Sequence, residues 1–209
     1  MTARAAKGQQ GRGAPPTYSV REAEAAMDPA AVRVAGQLRD SGRTVVGVLP
    51  TSDDVVVWPL VLALALAMVK ATGKATVIID MEQRWPPMTP ALDEEAVTDV
   101  LPAGAEIELV ERRLLTGRLM LLTPREKVPR GAKVEMLKLM LGFLRDGGTA
   151  AYVLIDLTGF EDRIGEFLGT MNLVEGVIVA ARVGVSREGD LARVHRELPP
   201  DKSLGVLLL

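Results

Sequence analysis

The chain has 209 residues, of which 48% are hydrophobic and 25% are charged, and its formal net charge is −2 at pH 7. This length and composition are typical of a soluble protein with one globular domain. The lack of a net basic charge argues against nucleic-acid binding. The sequence contains no cysteine, which excludes a disulfide framework, a thiolate nucleophile and a thiolate-rich metal site.

The first residues differ in composition from the rest of the chain. Residues 1–16 are rich in Ala, Gly, Gln and Pro, include Arg4, Lys7 and Arg12, and lack the apolar stretch of a secretory signal. Such a segment buries too little apolar surface to offset the entropy of ordering it. We therefore predict a flexible basic tail at residues 1–19, or an arm that contacts a partner or anionic lipid, and a single cytoplasmic domain at residues 20–209.

The rest of the chain alternates short β-rich runs with helical stretches. In chain order we predict a helix at 20–40 interrupted at Asp28-Pro29, a strand at 44–49, a helix at 60–71, a strand at 75–80, a loop at 85–90, a short helix at 93–101, strands at 106–110 and 118–122, a helix at 132–145, a strand at 151–156, a helix at 163–171, a strand at 176–181, a helix at 187–197 and a strand at 204–209. This alternation favours right-handed βαβ crossovers and a parallel sheet. We predict an α/β three-layer sandwich with a mostly parallel sheet of about six to eight strands.

One apolar stretch requires a comparison with membrane helices. Residues 55–69 contain no charged residue, and Lys70 follows them. A spanning helix needs about 20 apolar residues, and shorter runs are more often buried core helices. Pro59 also suits the first turn of a helix better than its centre. We predict a buried helix that does not span a membrane.

Polar side chains follow several of the predicted strands. In parallel α/β sheets, ligands bind beyond the carboxyl ends of the strands. Four places therefore require attention, and we expect them to lie along one edge of the sheet. They are the loop at residues 50–58, the group Asp80, Glu82 and Arg84, the pair Asp156 and Thr158, and the turn that begins at Arg182.

The motifs around Asp80 resemble those of the MinD/ParA-type deviant P-loop ATPases, and most closely the CpsD/CapB branch of bacterial tyrosine kinases. In that branch a Gly-Lys pair leads a strand into Asp-x-Asp-x-Arg-x-Pro. Here Gly73-Lys74 leads into Asp80, and residues 80–86 read DMEQRWP, with Glu82 in place of the second aspartate. The resemblance implies a P-loop NTPase-like fold.

Later segments carry the same resemblance. The string YVLIDLTG at residues 152–159 is similar to the strand that ends in an aspartate before a turn in the family. The string EGVIVAARVG at residues 175–184 is similar to the family's Asp-Gly-Val strand and the Arg/Gly turn after it. The string GVLL at residues 205–208 resembles the closing strand. The resemblance thus extends over residues 43–209.

The first loop departs from the family pattern. In the family this loop is rich in glycine and ends in Gly-Lys-Thr, so that backbone N–H groups and the lysine hold the phosphates. Residues 50–58 contain neither glycine nor lysine. Counting back from Gly73 at the family's spacing places the lysine near Val57 or Trp58. The degenerate positions of the nucleotide loop are Ser52, Asp53, Asp54, Val57 and Trp58.

The resemblance implies that Asp80 and Asp156 handle Mg²⁺ and the attacking group, which suits carboxylates and a hard cation. The other interpretation is that they are strand-end residues that cap neighbouring turns. Because the lysine and the glycines are missing, we favour this second interpretation. We predict no catalytic residue, no metal, no cofactor and no residual Mg-ATP binding. The remaining site candidates are Asp80, Glu82, Arg84, Asp156, Thr158 and Arg182.

Other chemically active side chains give little support for catalysis. His195 is the only histidine, and we place it on the surface of a charged helix. The kinase branch phosphorylates a C-terminal tyrosine cluster, whereas this chain has only Tyr18 and Tyr152. We predict that Lys127, Arg130 and Lys133, a local basic group, form a solvated face.

We therefore hypothesise a non-catalytic pseudo-ATPase or pseudokinase that acts as a regulator or scaffold in polysaccharide synthesis or export. It would bind a protein partner, either a membrane-anchored assembly protein or a second copy of the chain. One alternative is an active ATPase or tyrosine kinase with a relocated nucleotide site. A further alternative is a MinD/ParA-like partner in cell-polarity or motility machinery.

Overall fold

The computed structural model describes residues 29–81, 96–100, 102, 108–114, 117–129, 131–148, 150–160 and 164–209. Within these ranges the chain forms five helices and eight strands. In chain order they are α1 (Pro29–Ser41), β1 (Val45–Pro50), α2 (Trp58–Thr72), β2 (Thr76–Asp80), β3 (Ala96–Val100), β4 (Leu109–Leu114), β5 (Leu119–Pro124), α3 (Lys133–Gly147), β6 (Tyr152–Asp156), α4 (Ile164–Met171), β7 (Gly176–Ala181), α5 (Glu188–Glu197) and β8 (Ser203–Leu208).

The strands form one sheet in the order β3-β4-β5-β2-β6-β1-β7-β8. The six strands from β5 to β8 in this order are parallel, whereas β4 pairs with both β3 and β5 in antiparallel fashion. Buried residues of α1 and α2 pack on one face of the sheet, and those of α3, α4 and α5 pack on the other. The predicted three-layer α/β fold with a mostly parallel sheet is confirmed.

Helix α2 is the most apolar helix of the fold, and most of its residues are buried. Pro59 lies in its first turn, where a missing N–H is tolerated. Gly73 ends the helix with φ of 68°, and its N–H donates to the carbonyl of Val69. These features confirm a buried core helix. No helix in the described ranges is long and apolar enough to cross a membrane.

One prediction in the middle of the chain was wrong, and the bounds of another were displaced. The short helix expected at residues 93–101 is a strand where the structure describes it, β3, and the strand expected at 106–110 lies further on, as β4. Residues 96–100 include Val97, Thr98 and Val100, whose branched Cβ atoms favour extended backbone. Antiparallel pairing with β4 satisfies the backbone groups on one side of this strand, so the tertiary ladder outweighs a weak helical tendency.

The other described elements lie within a few residues of their predicted bounds. The predicted helical residues 20–28 and the predicted loop at 85–90 lie outside the described residues.

Candidate functional site

The carboxyl ends of four neighbouring parallel strands, β2, β6, β1 and β7, lie at one edge of the sheet. Asp80 ends β2 and Asp156 ends β6, and the two residues are direct partners in the strand register. Only 4% of Asp80 and 6% of Asp156 are exposed to solvent. The sheet thus places two buried carboxyl groups side by side, at the edge where the sequence predicted the site.

Both carboxyl groups lie on the face of the sheet that α2 covers. Side chains two positions apart on a strand point to the same face. Ile78 and Leu154, which precede Asp80 and Asp156 by two positions, belong to the core cluster formed with α2.

The carboxylate of Asp156 is engaged in its own turn. Its Oδ1 accepts hydrogen bonds from the backbone N–H of Thr158 at 2.9 Å and from the Thr158 hydroxyl at 2.6 Å. Gly159, with φ of 80°, continues the turn in a conformation that glycine adopts without strain. This is the geometry of a turn-capping aspartate.

The loop after β1 is fastened to the turn between β7 and α5. The buried Thr51 donates its N–H to the carbonyl of Ala180 at 3.0 Å. Its hydroxyl lies 2.6 Å from the hydroxyl of Ser186, which also accepts the N–H of Arg182 at 2.8 Å. The side chain of Arg193 donates to the carbonyl of Thr51 at 3.4 Å. These bonds hold the beginning of the loop against β7 and α5.

The apolar side chains at the end of the same loop are packed into the core. Val55, Val57 and Trp58 are buried, whereas Asp53 and Asp54 point to solvent. Val57 is the N-cap residue of α2 and makes no side-chain capping hydrogen bond. Where the resemblance places a phosphate-binding lysine, the structure therefore has a valine and a tryptophan packed into the core.

These residues do not fit a magnesium nucleotide. A phosphate-binding loop needs glycines whose N–H groups converge on the anion and a lysine that reaches the terminal phosphates. Residues 50–58 have neither. Within the described ranges, no group of three or more His, Asp or Glu side chains could hold a metal ion.

The remaining predicted site residues are less informative. Glu82 and Arg84 lie outside the described residues. Arg182 is exposed on the turn that holds Ser186, and Thr158 is half-buried beside Asp156. His195 is exposed on α5, as expected for a surface histidine.

Lys133 was wrongly predicted to be part of a solvated face. It is only 6% exposed, its Nζ donates to the carbonyl of Gly159 at 3.2 Å, and the same atom lies 5.0 Å from the centre of the Phe160 ring. The sequence did contain a signal for this. Lys133 precedes Met136, Leu137 and Met140 at helical spacing, so it lies on the buried stripe of α3.

Solved structures with a similar fold include several bacterial tyrosine kinase domains. The kinase domain of the Escherichia coli tyrosine kinase ETK superposes with a TM-score of 0.59 at 16% identity, covering 88% of this chain and 78% of the other. The chain has the fold of a bacterial tyrosine kinase domain. For the VpsO kinase domain the TM-score is 0.61 at 15% identity, with 90% and 94% covered. For the BceF tyrosine kinase domain it is 0.58 at 16% identity, with 90% and 76% covered.

No protein-family model and no curated protein sequence matches the chain. The structural neighbours therefore establish the kinase-domain fold, and the chemistry of this chain has to be argued from its own residues.

Proposed function

We propose that this protein is a non-catalytic relative of the bacterial tyrosine kinases, a pseudokinase that acts by binding as a regulator or scaffold in polysaccharide synthesis or export. The observation that carries the proposal is the closed loop at residues 51–57. Its first residue is hydrogen-bonded to the β7–α5 turn, and Trp58 fills the position near which the family's lysine would lie.

The energetics of phosphate binding support this proposal. A hydrogen bond to a charged group contributes roughly 1.5–3 kcal/mol, so the loss of several phosphate donors lowers nucleotide affinity by orders of magnitude. Opening the loop would also expose Val57 and Trp58, and each large apolar side chain removed from the core costs about 1.5–3 kcal/mol. A nucleotide would thus have to offset this cost with fewer contacts.

The proposal includes the absence of Mg-ATP as a cofactor. It assigns the chain a cytoplasmic location and a protein partner, which is either a membrane-anchored assembly protein or a second copy of the chain. A chain with a closed nucleotide loop still has the outer surfaces of the fold. It can bind a partner through these surfaces without hydrolysing a nucleotide.

Calorimetry and thermal unfolding with millimolar Mg-ATP test the proposal. We expect no heat of binding, no rise in the unfolding temperature and no phosphate release. The Asp80→Ala variant removes the buried acid, and Asp54→Ala removes an exposed one as a matched control. The proposal would be refuted if Mg-ATP raised the unfolding temperature of the wild type and of Asp54→Ala but not that of Asp80→Ala.

An enzyme with a relocated site is the second candidate, and the adjacent carboxyl groups of Asp80 and Asp156 favour it. The anchored loop over the same edge of the sheet counts against it.

Co-purification from cells would distinguish a role in polysaccharide export from a role in a MinD/ParA-like polarity machine.

A further inference from the structure

A cavity of about 460 Å³ lies between α1 and the strands β7 and β8. One stripe of α1 forms one wall, and β8 forms the other. The apolar side chains that line it also pack in the core cluster under α1, and they are Val34, Leu38, Ile178, Leu204 and Leu207. Small-molecule sites in proteins have volumes of about 300–1,000 Å³ and mostly apolar linings, so this cavity has the size and the character of such a site.

Arg43 is the charged residue among the described residues that line the cavity. Its Nη2 donates to the carbonyl of Asp201 over a long distance of 3.4 Å. Its Nη1 is buried and makes no hydrogen bond. A buried donor without a partner costs free energy, because it has lost water and gained nothing in exchange. The guanidinium group therefore has an unused capacity to bind an anion.

Gly176 on β7 places this guanidinium group at the cavity wall. A Cβ at position 176 would lie 2.9 Å from Nη1 of Arg43 and 2.6 Å from Cδ1 of Leu204. Both distances are too short for a real side chain. The glycine thus lets the arginine and the leucine lie directly against the backbone of β7, so that the cation and an apolar lining residue are neighbours.

We propose that this cavity binds a small amphipathic carboxylate, a fatty acid of medium length. The carboxylate pairs with Arg43, and the hydrocarbon chain lies on the apolar lining. A change in the rotamer of Leu204 opens the path from the cavity to Nη1. The other polar side chains at the cavity, Gln37 and Ser203, are neutral. One cation with neutral neighbours suits a singly charged head group better than a phosphate monoester, which carries nearly two charges.

The inference goes beyond the proposed function. Arg43 precedes β1 and Ser203 begins β8, so the head group lies at the amino ends of these parallel strands. Asp80 and Asp156 lie at the carboxyl ends of their strands, at the opposite edge of the sheet. Binding of the carboxylate therefore does not depend on whether Mg-ATP binds, and the two proposals can fail separately.

Equilibrium dialysis with radiolabelled octanoate tests the proposal on the full chain. We expect saturable binding of octanoate at a single site. Octan-1-ol and acetate should compete at least about tenfold more weakly, because the alcohol lacks the charge and acetate lacks the apolar chain.

Arg43→Gln tests the role of the charge. It should lower the affinity for octanoate about tenfold or more, the expected effect of losing a hydrogen bond to a charged group. Arg39→Gln is the matched control, since Arg39 is an exposed arginine at the end of α1 that pairs with Asp40. It should bind octanoate like the wild type.

Val34→Phe tests the cavity without altering Arg43, and it decides the matter if Arg43→Gln does not fold. The larger side chain fills the space between α1 and β8 and should lower octanoate affinity about tenfold or more. Val32→Phe is the control, because Val32 lies on the same helix, is 48% exposed and does not line the cavity.

Four results would overturn the proposal. The first is the absence of saturable octanoate binding, and the second is equal affinity for octanoate and octan-1-ol. The third is an affinity that neither Arg43→Gln nor Val34→Phe changes. The fourth is a wild type that binds no octanoate and whose self-association is abolished by Val34→Phe, since the cavity would then be covered by a second copy of the chain.

Discussion

Thr158 holds a strand-end carboxylate in its own turn. Its hydroxyl donates to Asp156 Oδ1 at 2.6 Å from a half-buried position. Thr158→Val removes this donor with little change in shape, and we expect the free energy of unfolding to fall by about 1–2 kcal/mol. Thr158→Ser keeps a hydroxyl and should recover most of the loss. Urea denaturation measures both variants, and a Thr158→Val protein as stable as the wild type would refute this role.

Sequence reasoning located some residues of the edge and missed another, for a physical reason. Asp80 and Asp156 could be placed at one edge because each ends an apolar strand of a parallel sheet, whereas their direct pairing in the register is known only from the structure. Lys133 was missed because its charge suggested solvent, although its helical phase indicated the core. The two signals conflict in the sequence, and only the packing of α3 on the turn after β6 resolves them.

At the scale of elements, long apolar segments were predictable and short polar ones were not. Helix α2 and strands β1, β2, β6 and β7 are apolar runs whose burial leaves few alternatives. Strands β3 and β4 carry charged residues, and their state depends on pairing with each other. The antiparallel extension of the sheet was therefore not visible in the local sequence.

Gly36 and Gly73 should respond in opposite ways to replacement by alanine. Gly36 lies inside α1, and a Cβ there would meet nothing within 4 Å. Gly73 ends α2 with φ of 68°, where a Cβ also finds space but the backbone is left-handed. We expect Gly36→Ala to stabilise the fold by about 0.5–1 kcal/mol.

The same substitution at Gly73 should destabilise the fold by about 1–2 kcal/mol, because an L-residue is strained in that conformation. Chemical denaturation of the two variants measures the change in the free energy of unfolding for each, and the two changes should have opposite signs. Equal effects of the two substitutions would show that backbone conformation does not govern the stability change at these two glycines.

At the scale of the whole molecule, exposed apolar side chains gather at one end of the sheet. Val206 is 56% exposed and Leu208 is 67% exposed on β8, and Val183 at 75% and Leu209 at 39% lie beside them. Val183 donates its N–H to the carbonyl of Leu209 at 3.2 Å, which joins these residues into one patch. Strand β8 ends the sheet in the described part of the chain.

This edge lacks the charges and prolines that usually protect edge strands from pairing. Because Ser203–Leu208 is uncharged, two copies of β8 can pair antiparallel about a two-fold axis without like-charge repulsion. We predict self-association through this edge, seen as a concentration-dependent mass in sedimentation equilibrium. Val206→Lys with Leu208→Lys should leave a monomer, whereas Leu168→Lys, at an exposed leucine on α4, should not. A wild type that stays monomeric throughout, or a double-lysine variant that associates like it, would contradict this assignment of the edge.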